Sequence, residues 1–396
     1  MTSAPKPIPL EDAQARLLDL VPSVQTEQCP VEQALGRYLA SPLTALRTQP
    51  PADLSAMDGF AVSGTAPWKL VGESRCGAPF LSAIQGGGAV HISTGAIVPD
   101  GAEKILLKEH ASLDGTELQT NGKGEAQARH IRKQGFDFRS GDVLLEAGHR
   151  LNAAALALAL GGGHSVVPVA RKPHIVILDS GDELCADPAH CLPGQIPASN
   201  GVMLAAMASA VPCTITRIGP VADNREALAN ALASATGADL LVTSGGASIG
   251  DHDLIRPALE DWGADLAFWR VAIKPGKPLM VARRDTTLVL GLPGNPVSSF
   301  VTGWLFMLPV LRALSGASDP LPSKVFLPSG MALAENGARR NFLRAHWDGK
   351  DIYPVPEQDS SALGAIASAN ALVERPENSP ATEAGAIVPV YLLENG

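Results

Sequence analysis

At 396 residues and 41.0 kDa the chain exceeds what one hydrophobic core organises, so several domains are expected. A composition of 45% hydrophobic and 18% charged residues is that of a folded globular chain, and a net charge of −9 excludes the basic face that non-specific nucleic-acid binding needs. An anionic small-molecule ligand stays open wherever lysines create a local positive pocket. No stretch reads as a targeting signal. The apolar run nearest the length of a membrane span, 297–314, is broken by Pro309, so a cytoplasmic protein without membrane association is expected. Five scattered cysteines, Cys29, Cys76, Cys185, Cys191 and Cys213, fit free thiols better than a disulfide framework. Cys185 and Cys191 flank His190, but the spacing matches no common zinc pattern.

In chain order, residues 10–40 place Leu17, Leu18 and Leu20, then Val31, Ala34, Leu35 and Leu39, at helical spacing, and this region is expected to be helical. From 46 to 136 short β-like runs at 60–62, 68–71 and 104–107 are separated by glycines, which predicts a small β-rich lobe inserted between helical parts. The alanine-rich 153–160 reads as another helix. From 171 to 318 strands (174–178, 213–218, 239–243, 279–282, 287–290) interleave with helices (201–210, 225–235, 254–262, 297–314), the signature of an α/β core domain with a parallel sheet. Residues 315–322 read as a linker, and the remainder as a small C-terminal β-domain.

Four groups of residues stand out. Gly291-Leu292-Pro293-Gly294-Asn295-Pro296 joins a strand to the long last helix; Asn295 suits its N-cap and Pro296 its first turn, and such turns receive anions. Ser180-Gly181-Asp182-Glu183-Leu184 follows a strand and offers backbone N–H groups beside two carboxylates, of which Glu183 is the preferred base or magnesium ligand. The loop 243–253 contains Ser244, Gly245, Gly246, Ser248 and Gly250, which allow the backbone to wrap phosphate oxygens, and ends on Asp253, suited to an accompanying magnesium ion. Lys274-Pro275-Gly276-Lys277-Pro278 aims two ammonium groups from a stiff backbone. Asp58-Gly59, Thr94-Gly95 and Gly135 read first as turns, and Asp223 with Glu226 reads as a helix N-cap and its N3 partner.

Taken in order, Ser-Ala-Met-Asp-Gly-Phe-Ala-Val (55–62), Ser-Thr-Gly-Ala (93–96), Ser-Gly-Asp-Glu-Leu (180–184), Ser-Gly-Gly-Ala-Ser-Ile-Gly (244–250), Lys-Pro-Gly-Lys-Pro (274–278) and Gly-Leu-Pro-Gly-Asn-Pro (291–296) resemble the molybdopterin molybdenumtransferases, the family that includes the gephyrin E domain. The resemblance covers essentially the whole chain. It implies an elongated protomer with a helical linker and dimerisation domain from 1–45 and 137–170, an inserted β-rich lobe at 46–136, an α/β molybdopterin-binding domain at 171–318 and a C-terminal β-barrel at 319–396. The implied active cleft lies between the α/β domain of one subunit of a homodimer and the inserted and barrel parts of the other. The implied reaction inserts molybdate into adenylylated molybdopterin with Mg2+, releasing AMP.

By the same resemblance, the family's functional residues match Asp58, Thr94, Asp137, Glu183, Asp223 and Asp253. Pro293 and Pro296 match its cleft prolines, Lys274 and Lys277 its molybdate-facing lysines, and Ser360 and Ser361 its serine loop, while Arg339 and Arg344 fall where it has arginines. Glu183 and Asp253 are the implied magnesium ligands, and contact with the adenylyltransferase that makes the substrate is implied as well. Two positions depart from the pattern: Phe136 stands where an acidic residue is common, and Ala198 where an aspartate usually precedes Ser199-Asn200. A carrier that binds molybdopterin or the finished cofactor without turnover is the alternative.

Overall fold

A computed structural model describes residues 7–245 and 254–393. The central element is a six-stranded sheet in which Thr214–Val221, His174–Ser180, Leu240–Ser244, Thr287–Leu292, Met280–Arg284 and Asp265–Trp269 lie side by side. The first four run parallel. Alternation along the inner strands sends Ile175, Ile177, Leu240, Val242, Leu288 and Leu290 to one face, and Val176, Leu178, Leu241 and Val289 to the other. Helices Asn200–Ala208 and Pro296–Thr302 cover the first face, and Arg225–Ser234 and Ile255–Asp261 the second.

The expected parallel sheet is therefore mixed. Met280–Arg284 returns as Thr287–Leu292 after only Asp285 and Thr286, and a two-residue connection forces antiparallel pairing. Asp265–Trp269 then adds an antiparallel edge. The expected long helix runs from Pro296 to Leu314, with a π-helical turn over Gly303–Met307 ahead of Pro309. A widened turn of this kind accommodates a proline that brings no N–H to the helix. By length and composition alone this helix could cross a membrane, but 83% of its apolar window is buried inside the protein.

The helical reading of 10–40 is corrected. Only Leu10–Leu18 is an α-helix, and its buried Leu10, Ala13 and Leu17 pack into the α/β core. Thr26–Pro30 is a strand paired with Val166–Ala170, and Val31–Gln33 is a single 3-10 turn. The apolar residues with helical spacing there, Val31, Ala34 and Leu39, instead join Leu151, Ala155 and Ala159 of the helix Ala153–Gly161 and its surroundings in one cluster. The sheet pairing outweighs a spacing that fitted a helix.

Between those two segments lies a six-stranded sheet containing Gly59–Val62, Trp68–Ser74, Gly88–Ile92, Lys104–Leu107, Ala111–Asp114 and Glu117–Thr120. At the other end of the chain, Val325–Pro328, Arg340–Trp347, Ala371–Arg375 and Ile387–Leu392 form a sheet with Ile273–Lys274 borrowed from the α/β region. Ile352–Pro354 pairs with Arg340–Trp347 outside the main hydrogen-bonded order, and a bridge from Ser329, just past Val325–Pro328, to Ile352 links the sheet's two sides, so the strands curl round as a half-barrel where a barrel was expected.

Candidate active site

Three neighbouring parallel strands end together, with Asp179 opposite Ser244 and Ser244 opposite Leu292. Beyond these carboxyl ends, where α/β sheets bind ligands, lies a cleft of about 860 Å³. Its walls bring together Ser180, Glu183, Asp223, Ser244, Gly245, Pro293, Gly294, Asn295, Pro296 and Ser361, all singled out from the sequence. The three loops meet closely. Gly245 has φ +99°, and a Cβ there would stand 3.1 Å from the Ser180 carbonyl oxygen, so both conformation and space call for glycine. A Cβ on Gly294 would stand 3.7 Å from the Cα of Gly245.

Acidic groups line one side. The Glu183 carboxylate folds over Gly181, while Asp182 Oδ1 accepts the backbone N–H of Asp223 at 3.0 Å. Burial, followed by the negative charges of Asp182 and Glu183, raises the Asp223 carboxyl above its ordinary range. The N-cap reading of Asp223 is corrected: Asn224 caps Arg225–Ser234, its Oδ1 accepting the N–H of Ala227 at 2.9 Å. Asp223, one residue earlier, is thereby free to face the cleft.

Two lining residues carry no role in the sequence reading, where Asp179 goes unmarked and Asn200 enters only as an asparagine kept beside the departure at Ala198. Asp179 is 4% exposed, and burial pushes its carboxyl up to about 6, against the opposing pull of Arg217 and the N–H of Gly201. Asn200 donates from Nδ2 to Ser244 Oγ at 2.9 Å and to the Gly294 carbonyl at 2.7 Å. Only the pairing of Asp179 with Ser244 across strands and the placement of a helix start beneath them reveal these roles. The departure at Ala198 was the nearest sequence signal, since Ala198 also lines the cleft.

The C-terminal sheet reaches the same cleft within one chain. Asn295, at the N-cap position, makes no side-chain cap; its Nδ2 donates to Ser360 Oγ at 3.0 Å, and the N–H of Val297 donates to the Ser360 carbonyl at 3.1 Å. The serine loop thus stands at the cleft of its own subunit, which corrects the expectation that the partner's barrel supplies it. Arg344 is 1% exposed: Nη2 donates to the Asp359 carbonyl at 3.3 Å, and its backbone is bridged by Gln358. It holds the loop from beneath and is closed to a ligand. Arg339 is exposed, with Nη1 donating at 3.5 Å to the Ile273 carbonyl, next to exposed Lys274. Lys274, Lys277 and Arg339 are not among the cleft's lining residues, although Lys277 directly precedes Pro278, which is.

Asp58, Thr94 and Asp137 are absent from this wall. Asp58 Oδ1 accepts the Thr94 backbone N–H at 2.7 Å and its hydroxyl at 2.9 Å, and these bonds hold the exposed carboxyl below its usual range. Asp58 therefore has a partner rather than merely terminating a hairpin, and it directly precedes the strand Gly59–Val62. Asp137 is exposed beside Phe136, which is 75% exposed. Gly246, Ser248, Gly250 and Asp253 lie outside the described residues. Among the described residues no group of three or more metal-ligating side chains forms a cation site, and all five cysteines are free.

Comparison with known proteins extends this picture. Residues 8–163 match the MoeA N-terminal region (domain I and II), 176–313 a probable molybdopterin binding domain and 327–393 the MoeA C-terminal region (domain IV). A molybdopterin molybdenumtransferase of Bacillus subtilis is 32% identical over 98% of this chain and 95% of its own, and one from Nostoc is 32% identical over 97% and 91%. A crystal structure of a molybdopterin biosynthesis MoeA protein from Pyrococcus horikoshii shares the fold, with a TM-score of 0.85 at 24% identity over 98% of this chain and 100% of that one. With relatives of this similarity aligned along nearly its whole length, the chain belongs to the molybdopterin molybdenumtransferase family.

Proposed function

We propose that this protein inserts molybdate into adenylylated molybdopterin with Mg2+, releasing AMP and forming the molybdenum cofactor. The observation that carries the reading is the convergence of three strand-end loops and two acidic side chains, Glu183 and Asp223, on one cleft in a member of this family. A pyrophosphate-bearing substrate suits that cleft, because hydroxyls and backbone N–H groups are fixed there before it arrives. Glu183 and Asp223 on the cleft wall offer oxygen donors, the kind a hard cation takes. Glu183 and Asp223, with Asp253, would hold Mg2+, which when bound neutralises pyrophosphate charge. Water adds to the adenylyl phosphorus, AMP departs, and the molybdopterin phosphate stays behind. Lys274 and Lys277 hold molybdate as a dianion.

The protein works as a homodimer in the cytoplasm, receiving its substrate from the adenylyltransferase. Because Asp58, Thr94 and Asp137 lie off their own cleft, the inserted lobe of the partner subunit supplies them. Incubation of purified protein with adenylylated molybdopterin, molybdate and Mg2+ should release AMP and yield active cofactor. Glu183→Gln is expected to reduce AMP release by at least about a hundredfold while leaving the circular dichroism unchanged. Tight substrate binding without AMP release by the unaltered protein would identify a carrier instead.

A further inference from the structure

Asn200 spans two of the three loops that make the cleft, and its orientation is unambiguous. The Gly294 carbonyl can only accept, so the amide nitrogen faces it at 2.7 Å. The same nitrogen gives its second proton to Ser244 Oγ at 2.9 Å. Ser244 Oγ thus acts as an acceptor toward Asn200, and its own proton has no other partner among the described residues. Ser244 is buried at the end of its strand and lines the cleft. A hydroxyl whose lone pair is engaged from behind is left to donate forward.

Asn200 is itself held in place. It is the first residue of the helix Asn200–Ala208, and the Asp179 carboxylate occupies the space above Gly201. A Cβ on Gly201 would come within 2.0 Å of Asp179 Oδ2, so this carboxylate is seated directly on the helix start. Asp179 is also the cross-strand partner of Ser244. The brace is therefore anchored on the strand that neighbours one of the two whose loops it joins.

We propose that Asn200 is a positioning residue that presets the Ser244 hydroxyl as a hydrogen-bond donor to an anionic oxygen of the substrate, while fixing the distance between the Ser244 and Gly294 loops. The proposal rests on the reading of the cleft as a phosphoanhydride site. It distinguishes a truncation from an isosteric replacement. Asn200→Ala removes the brace and lets the hydroxyl rotate. Asn200→Asp replaces the donor with a carboxylate, which accepts the Ser244 proton, turns the hydroxyl away from the substrate and repels the Gly294 carbonyl.

The test combines AMP-release kinetics, calorimetric binding of inorganic pyrophosphate in the presence of Mg2+, and hydrogen exchange of the unliganded protein. Asn200→Ala is expected to lower kcat/KM by about tenfold and Asn200→Asp by about a hundredfold. In a Ser244→Ala background, which keeps the bond to Gly294, Asn200→Ala should cost clearly less than it does alone. Exchange at Gly294 and Asn295 should quicken in both Asn200 variants and not in Ser244→Ala. Additive kinetic effects, or equal losses in the Ala and Asp variants, would overturn the proposal. Should the unaltered protein release no AMP, the functional reading fails. The brace is then judged by pyrophosphate affinity and exchange: weaker binding in Asn200→Asp than in Asn200→Ala, with quickened exchange in both, supports it, and unchanged values overturn it.

Discussion

Asp179 and Asp223 show how neighbouring residues acquire different work from their surroundings. A capping box was legible at 223–226, and a cap does form, but Asn224 takes it because its side chain reaches the N–H of Ala227. Asp223 then stands among like charges and holds its proton more tightly. Asp179 is raised chiefly by burial, to about 6 from 3.8. Its folded-state proton affinity exceeds the unfolded one, so ionising Asp179 opposes folding above pH 6, and that penalty disappears as the pH falls towards 3.8. Asp179→Asn should consequently stabilise the protein at pH 8 by on the order of 2 kcal/mol, with the gain shrinking below pH 6. Denaturant titrations at several pH values check this, and a gain that grows as the solution is acidified would contradict the assignment.

Among elements, the loop 357–361 is the one through which the C-terminal sheet acts. Gln358 accepts the N–H of Arg344 at 3.1 Å and donates to the carbonyls of Arg344 and Val355 at 2.9 and 2.8 Å. These bonds let an exposed loop present Ser360 to Asn295 and Ser361 to the cleft. Gln358→Ala leaves the buried Arg344 N–H unpaired, while the Arg344 carbonyl keeps the N–H of Val355, and should destabilise the C-terminal sheet by about 1–3 kcal/mol. Hydrogen exchange of the amides at 343–345 and 359–361 reads both effects, and unchanged protection would argue against the bridge. The same scale explains where sequence patterns failed. Apolar spacing at 31–39 fitted a helix but served a cluster fed by the distant 151–169 region. The two-residue connection at 285–286 emerges only because Met280–Arg284 extends past the expected strand end at 282, and it decides strand direction.

At the scale of the whole molecule, the cleft gathers residues from 179 to 363 of one chain but leaves the lobe residues Asp58, Thr94 and Asp137 elsewhere. In the proposed homodimer this arrangement has a quantitative consequence. Mixing Asp58→Asn with Glu183→Gln, each inactive alone, should restore about a quarter of the unaltered activity, since half the dimers are mixed and one of their two sites is intact. Activity is measured after unfolding and refolding the mixture. No recovery would place both residues in the same site of a single chain.

Sequence alone determined the alternation of strands and helices over 171–318, the turn at 291–296 and the family motifs, because these depend on local periodicity, capping chemistry and glycine at tight turns. It also located Glu183, Ser244 and Asn295, which sit within those motifs, and Ser361 of the serine loop. Only the tertiary structure decided that Asp179 and Asn200 belong to the cleft, that Asn224 rather than Asp223 makes the cap, and that Arg344 is closed off beneath the serine loop. Each of these depends on a partner supplied by another segment or on the competition between adjacent side chains for one N–H. Hydrogen bonds and burial across such distances leave no periodic trace along the chain.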